Sequence, residues 1–207
     1  NPKIEKLYET LIQIISKTKN WHQMIKISEK AYNNKIINKS LYNENISIAY
    51  YEIAKIKMHS EEDEAERLIL NALKLKKYFV PYIELYLKMI SQKQENNKFL
   101  KNVKKYWYEK PSSLLRLTII KILEEKKLND LKSINFLIDK NFNNPESKKL
   151  LIYFAIHSSN WSLARDNVKG LIGLNPTKEI CLFMSDIELG ENNDIQKSDS
   201  WKLRAQN

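Results

Sequence analysis

Apolar residues recur at spacings of three and four along almost the whole chain, and no stretch alternates with the period of two that a half-buried strand needs. That pattern restricts the chain to amphipathic helices packed by one face, and the expected fold class is all-α. Turn formers and helix starters interrupt the pattern at Thr18-Lys19-Asn20, Tyr32 to Asn38, Ser60, Lys76 to Tyr78, Gln94 to Asn97, Lys110-Pro111, Leu128-Asn129, Asn143 to Pro145, Ser158 to Asn160, Asn175-Pro176 and Gly190 to Asn193. About twelve short helices result. Only three glycines occur in 207 residues, at 170, 173 and 190. Glycine-rich phosphate loops and dinucleotide fingerprints are therefore excluded.

The helices recur in pairs. Pro81, Pro111, Pro145 and Pro176 stand 30, 34 and 31 residues apart, each at the start of a pair, close to the 34-residue period of the TPR helix-pair repeat. Asn20-Trp21 and Asn160-Trp161 mark the turn inside two of the pairs. The expected architecture is a TPR-like right-handed solenoid, a single domain over 1–207. It has about six antiparallel pairs at 2–34, 38–77, 79–110, 111–143, 145–174 and 176–206.

Two helices that cross closely need a small side chain at the contact, which places Ala164 there in the fifth pair. In that register Leu151, Ile152, Ala155, Ala164, Val168 and Leu171 are core. So are Ala49, Ile53, Ile56, Ala65, Ile69 and Ala72 in the second pair, and Ile83, Leu87, Ile90, Phe99, Val103 and Tyr106 in the third. The fourth pair, Pro111 to Phe142, fits the pattern worst. Trp21 and Trp161 are each expected to fill the space between the two helices of their own pair.

The net charge is +10, from 35 Lys+Arg against 25 Asp+Glu. Such a balance raises nucleic acid or an anionic surface as a partner. Lysine, asparagine and isoleucine are abundant everywhere, however, as AT-rich codons would make them, so the charge is weak testimony. The helix holding Lys101, Lys104 and Lys105 packs Val103, Tyr106 and Trp107 on one face and leaves the lysines solvated. No nucleic-acid partner is expected. The longest apolar run, Leu150 to Ile156, is far short of the roughly 18–20 residues that span a bilayer. The first residue is Asn1, and a targeting or anchoring segment upstream is expected to have been removed.

No catalytic constellation emerges, and neither an enzyme activity nor a metal site is expected. His22, His59 and His157 lack a second ligand at helical spacing, and Cys181 sits among apolar neighbours. Glu61 to Glu64 open a helix, where carboxylates meet the positive end of its dipole. Solenoids bind along the concave surface lined by their first helices. The register assigns that surface Glu9, Gln13, Tyr50, Lys57, Glu84, Lys88, Lys149, Tyr153 and His157, a polar and aromatic mixture suited to a peptide or helix of a protein partner.

Several segments resemble the TPR region of the HemY-type proteins of proteobacteria. The most specific runs from Asn175-Pro176-Thr177 through Leu182-Phe183-Met184-Ser185-Asp186-Ile187-Glu188 to Trp201-Lys202-Leu203-Arg204-Ala205. It is similar to the family's Pro-Thr, Leu-Met-x-x-Ile-Glu and Trp-x-x-Arg-Ala closing pattern. Pro145-Glu146-Ser147 and Asn160-Trp161-Ser162-Leu163-Ala164-Arg165 resemble two further family motifs, as do Asn71 to Leu75 with Val80-Pro81, and Lys104 to Trp107. The resemblance implies a non-enzymatic TPR scaffold linked to haem biosynthesis. Its parent would be held at the bacterial inner membrane by an N-terminal anchor absent from this chain, with this domain in the cytoplasm and haem-synthesis enzymes as partners. No cofactor is implied for a scaffold. A carrier binding haem or porphyrin itself is the alternative, with His157, Tyr153 and Cys181 the first candidates for contact.

Overall fold

The computed structural model describes residues 2–173 and 176–206. Among them twelve α-helices occur and no strand: α1 (Pro2–Lys17), α2 (Trp21–Asn33), α3 (Lys39–Lys57), α4 (Glu62–Leu75), α5 (Val80–Lys93), α6 (Asn96–Glu109), α7 (Ser113–Glu125), α8 (Leu131–Ile138), α9 (Pro145–His157), α10 (Trp161–Lys169), α11 (Lys178–Asn192) and α12 (Ile195–Arg204). The chain is all-α, and helices joined by short turns pack on one another. Asn175 of the expected Asn175-Pro176 break lies outside the described residues, as do residue 174 of the fifth expected pair and the ends of the 1–207 span. Contacts divide the chain into two compact units, Asn1–Lys93 and Gln94–Asn207. The division falls inside the third expected pair, between α5 and α6.

Side chains, many of them asparagines, start the helices. Asn20, Asn38, Asn144 and Asn160 accept the backbone amides of Gln23, Leu41, Glu146 and Leu163, and Ser112, Asp130 and Asp194 cap α7, α8 and α12 in the same way. Each cap satisfies an amide that the first helical turn cannot. Six helix-terminating residues take left-handed backbone angles, Lys19, Lys35, Tyr78, Lys127, Ser159 and Asn193, and none of them is glycine. The α1–α2 and α9–α10 turns share one geometry. Lys19 and Ser159 have φ of 55° and 56°, and the amides of Asn20 and Asn160 donate to Ile15 and Ala155.

The fourth pair departs from this turn for a definable reason. Lys127 is left-handed and the Leu128 amide donates to Leu123, as in the other two turns. Leucine at 128 stands where asparagine caps in the others and has no side chain to cap with. The chain runs on to Asp130, whose carboxylate accepts Ser133, and α8 then lasts only 8 residues before a 3-10 turn, Asp139–Asn141. Consequently α8 packs on α6 and α9 rather than chiefly on α7.

In the first unit α3 and α4 meet closely through Ala49, Ala65 and Ala72, all fully buried with Ile53 and Ile69. Ile56, expected in this core, is 67% exposed. It lies in the last turn of α3. Polar side chains tie neighbouring helices together inside the unit. Tyr8 and Ser28 hydroxyls lie 3.1 Å apart, Asn45 donates to the Tyr8 oxygen, and the Tyr82 hydroxyl donates to Ser47. Buried groups of this kind are stable only when partnered.

In the second unit Ile152, Ala155, Ala164, Val168, Ile180, Phe183, Met184 and Ile187 form one core from α9, α10 and α11, with Leu171 packed at its edge. Trp107 is fully buried on α6, and its indole donates to Ser147 of α9. Trp21 is buried in the first unit, but Trp161 does not fill its own pair. Its half-buried ring lies against Gly190 of α11, where an added methyl would overlap it. Gly190 is therefore inside α11 and not at the expected break, which falls at Asn193-Asp194.

Two substitutions check these local accounts by thermal or urea unfolding. Ser159→Gly relieves the steric penalty of a left-handed residue with a Cβ and is expected to stabilise by about 1 kcal/mol. Gly190→Ala forces Trp161 off α11 and is expected to destabilise by about 1–3 kcal/mol, the range for overpacking.

Candidate partner-binding surface

Arginine at 116 interrupts the apolar run Leu114-Leu115-Arg116-Leu117-Thr118-Ile119-Ile120 of α7. Its side chain is only 3% exposed, and a guanidinium there must be answered by carboxylates. Its Nε donates to Glu146 at 2.8 Å, in the first turn of α9, and its Nη2 to Glu179 at 2.5 Å, in the first turn of α11. Lys149 of α9 completes the cluster, 2.9 Å from Glu146 and 3.1 Å from Glu179. Two cations and two carboxylates thus join α7, α9 and α11, the first helices of the last three expected pairs.

Burial works to raise the Glu146 carboxyl, but hydrogen bonds from Arg116 and Lys149 outweigh it and hold the group below the usual glutamate range. Burial works to lower Lys149, and its bonds to Glu146 and Glu179 hold it above the usual lysine range. Both shifts state that the cluster is more stable charged than neutral.

One and two turns further along α9, Tyr153 and His157 lie on the same edge as Lys149, four residues apart each time. The Tyr153 hydroxyl donates to Glu124 of α7 at 2.8 Å. Burial, together with Glu124, pushes the phenol up to about 12. The exposed His157 ring stacks on Tyr153 with centroids 4.0 Å apart, and its Nδ1 lies 2.8 Å from the Tyr153 carbonyl oxygen. A proton on Nδ1 makes that contact a hydrogen bond and leaves the lone pair on Nε2. Burial pushes the Asp186 carboxyl of α11 up, and the nearby His157 pulls it back down. This edge of the second unit is a braced aromatic platform between carboxylates.

The other expected surface residues belong to the first unit and are less gathered. Glu9 lines a groove of about 690 Å³ with Glu5, Tyr8, Tyr32 and Lys35, and Gln13 is exposed further along α1. Tyr50 and Glu84 are half-buried and Lys88 is exposed. Lys57 spans the α3–α4 turn, 2.8 Å from Glu61 and 2.9 Å from Glu64. Cys181 is fully buried, its thiol 3.8 Å from the Pro176 carbonyl oxygen, so it does not share the open surface of Tyr153 and His157.

Sequence reading missed Arg116, Glu124, Glu146, Glu179 and Asp186. A signal for the cluster existed in the arginine amid leucines and isoleucines, which needs acidic partners on neighbouring helices. Nothing in the local sequence singles out Glu124 or Asp186.

Among the described residues no group of three or more His, Cys, Asp or Glu side chains is placed to hold a metal ion, and no helix is long and apolar enough to cross a membrane. The lysine-rich helix α6 buries Val103, Tyr106 and Trp107. Lys104 of its other face lies 2.6 Å from Asp139 and over the Phe136 ring. No protein-family model matches the chain, and no curated protein matches it.

Removing Arg116 strands two carboxylates, so Arg116→Ala is expected to cost about 3–5 kcal/mol in urea unfolding, the range for breaking a buried pair. A loss under about 1 kcal/mol would contradict the cluster's role. Because Glu146 is depressed in the folded state, its stabilisation is present above the ordinary glutamate value, about 4.3, and is lost as pH falls through the lower folded value. Glu146→Gln should therefore flatten the acid limb of stability against pH, measured over that window.

Proposed function

We propose that this chain is a non-catalytic scaffold, a TPR-like right-handed solenoid of about six helix pairs forming one domain over 1–207. It grips a protein partner on the side of its first helices. The observation that carries this reading is the α7–α9–α11 edge. There an ion cluster joins α7, α9 and α11, and Tyr153, His157, Glu124 and Asp186 present an aromatic and charged surface whose geometry is set before any partner arrives. Preorganised side chains lose little entropy on binding.

The resemblance to HemY-type proteins supplies the setting. It favours a parent anchored at the bacterial inner membrane, this domain on the cytoplasmic side, and partners among the haem-synthesis enzymes. No nucleic acid is required. A second reading rests on His157. The exposed His157 imidazole, held beside Tyr153, would supply the nitrogen ligand to a haem, which would make this a haem carrier.

A photo-crosslinking amino acid at position 157, compared with one at Lys169 on the exposed side of α10, separates the readings in cells carrying the full parent protein. The scaffold predicts discrete protein adducts from 157, absent from 169, and reduced severalfold by Tyr153→Ala. Identical adducts from both positions would overturn it. A Soret shift on adding haem that is lost in His157→Ala, without protein adducts, would establish the carrier.

A further inference from the structure

The lysines of α6 gather on the face opposite its buried one. At about 100° per residue Lys101, Lys104, Lys105 and Tyr108 share one side, and Phe99, Val103, Tyr106 and Trp107 are buried on the other. Helix α8 runs beside α6 in the same direction. Lys104 lies 2.6 Å from Asp139 and 4.0 Å over the Phe136 ring, and Lys140 of the 3-10 turn lies 5.5 Å over the Tyr108 ring. Lys132, one turn before Phe136, extends the α8 row and is exposed. The two rows form one continuous face of basic and aromatic side chains in the middle of the chain.

This face differs from an ordinary lysine-rich surface. It holds five lysines and one aspartate, a net charge of +4. Asp139 is answered by Lys104, and among the described residues Lys101, Lys105, Lys132 and Lys140 form no ion pair. Elsewhere in the second unit Lys149, Lys169, Lys197 and Lys202 each have an acidic partner. Tyr108 and Phe136, 49% and 39% exposed, stand among the unanswered cations. A composition rich in lysine scatters charge, but it does not arrange exposed rings between the charges.

The occupant of such a face is anionic. One side of each ring is already covered by an ammonium, an arrangement that competes with the stacking of bases. Rings and lysine stems with ammonium groups at their edge instead match the boundary of a bilayer. There apolar bodies sink to headgroup depth and cations stay at the phosphates. We propose that the α6–α8 face docks on an anionic phospholipid surface, with Lys101, Lys105, Lys132 and Lys140 at headgroup phosphates and the Tyr108 and Phe136 rings at the interface. Each lysine brought near such a surface adds attraction, and the sum falls off within a Debye length. The contact needs no membrane-spanning helix and is independent of the surface around Tyr153.

Sedimentation of the intact chain with vesicles tests this, using phosphatidylcholine alone and an equal mixture of phosphatidylcholine and phosphatidylglycerol. The mixed vesicles are expected to carry the chain down, and the neutral ones to leave it in solution. Binding should fall at least about tenfold in Lys101→Glu with Lys105→Glu, exposed positions outside the core, and at about 0.5 M salt. Tyr108→Ala should lower it severalfold. Lys26→Glu with Lys30→Glu, the same charge change at exposed positions of α2, should leave it within about twofold. Binding to neither vesicle, equal loss in the two charge-reversed pairs, or full binding in Tyr108→Ala would overturn the proposal. So would binding of polyuridine RNA or of polyglutamate, lost in Lys101→Glu with Lys105→Glu, without binding of the mixed vesicles.

Discussion

The second unit is organised around a guanidinium that has almost no access to water. Desolvating Arg116 is costly unless its donors are met, and the carboxylates that meet them come from the first turns of α9 and α11. The relative setting of three helices is thereby tied to one side chain. Lys149 balances the charge, so the cluster is neutral as a whole. Tyr153 and His157 stand further along the helix that this cluster fixes, and Glu124 holds the phenol from α7. The aromatic platform is a consequence of where the arginine is buried.

The same economy of small features sets the helix pairs. Alanines at 49, 65, 72, 155 and 164 are fully buried and let helix axes approach. Six of the turns contain a left-handed residue that carries a full side chain, and in five of them asparagine or aspartate then opens the next helix. A composition drifting toward lysine and asparagine still builds these turns, because asparagine caps well and a left-handed lysine costs only about 1–2 kcal/mol. Asparagines that composition alone would ascribe to drift are in part structural.

Helices, breaks and core positions were legible because each depends on neighbours within one or two turns. Ile83, Leu87, Ile90, Phe99, Val103 and Tyr106 are all buried, as their spacing requires. The errors came where a distant helix decides the outcome. Ile56 has the right period but stands open to solvent, Trp161 packs on the following pair, and Gly190 serves that tryptophan rather than a turn. For the candidate surface, spacing put Lys149, Tyr153 and His157 on one edge. It could not show that Lys149 is committed to an ion cluster, or that Glu124 and Asp186 flank the ring pair from other helices.

Native-state hydrogen exchange on the intact chain tests most directly whether Arg116 holds the three helices as one body. In Arg116→Ala, amides in α7 and in the first turns of α9 and α11 should lose protection together, while α3 and α4 keep theirs. Loss confined to α7, or no loss at α9 and α11, would contradict the account, since the platform would then owe its setting to apolar packing alone.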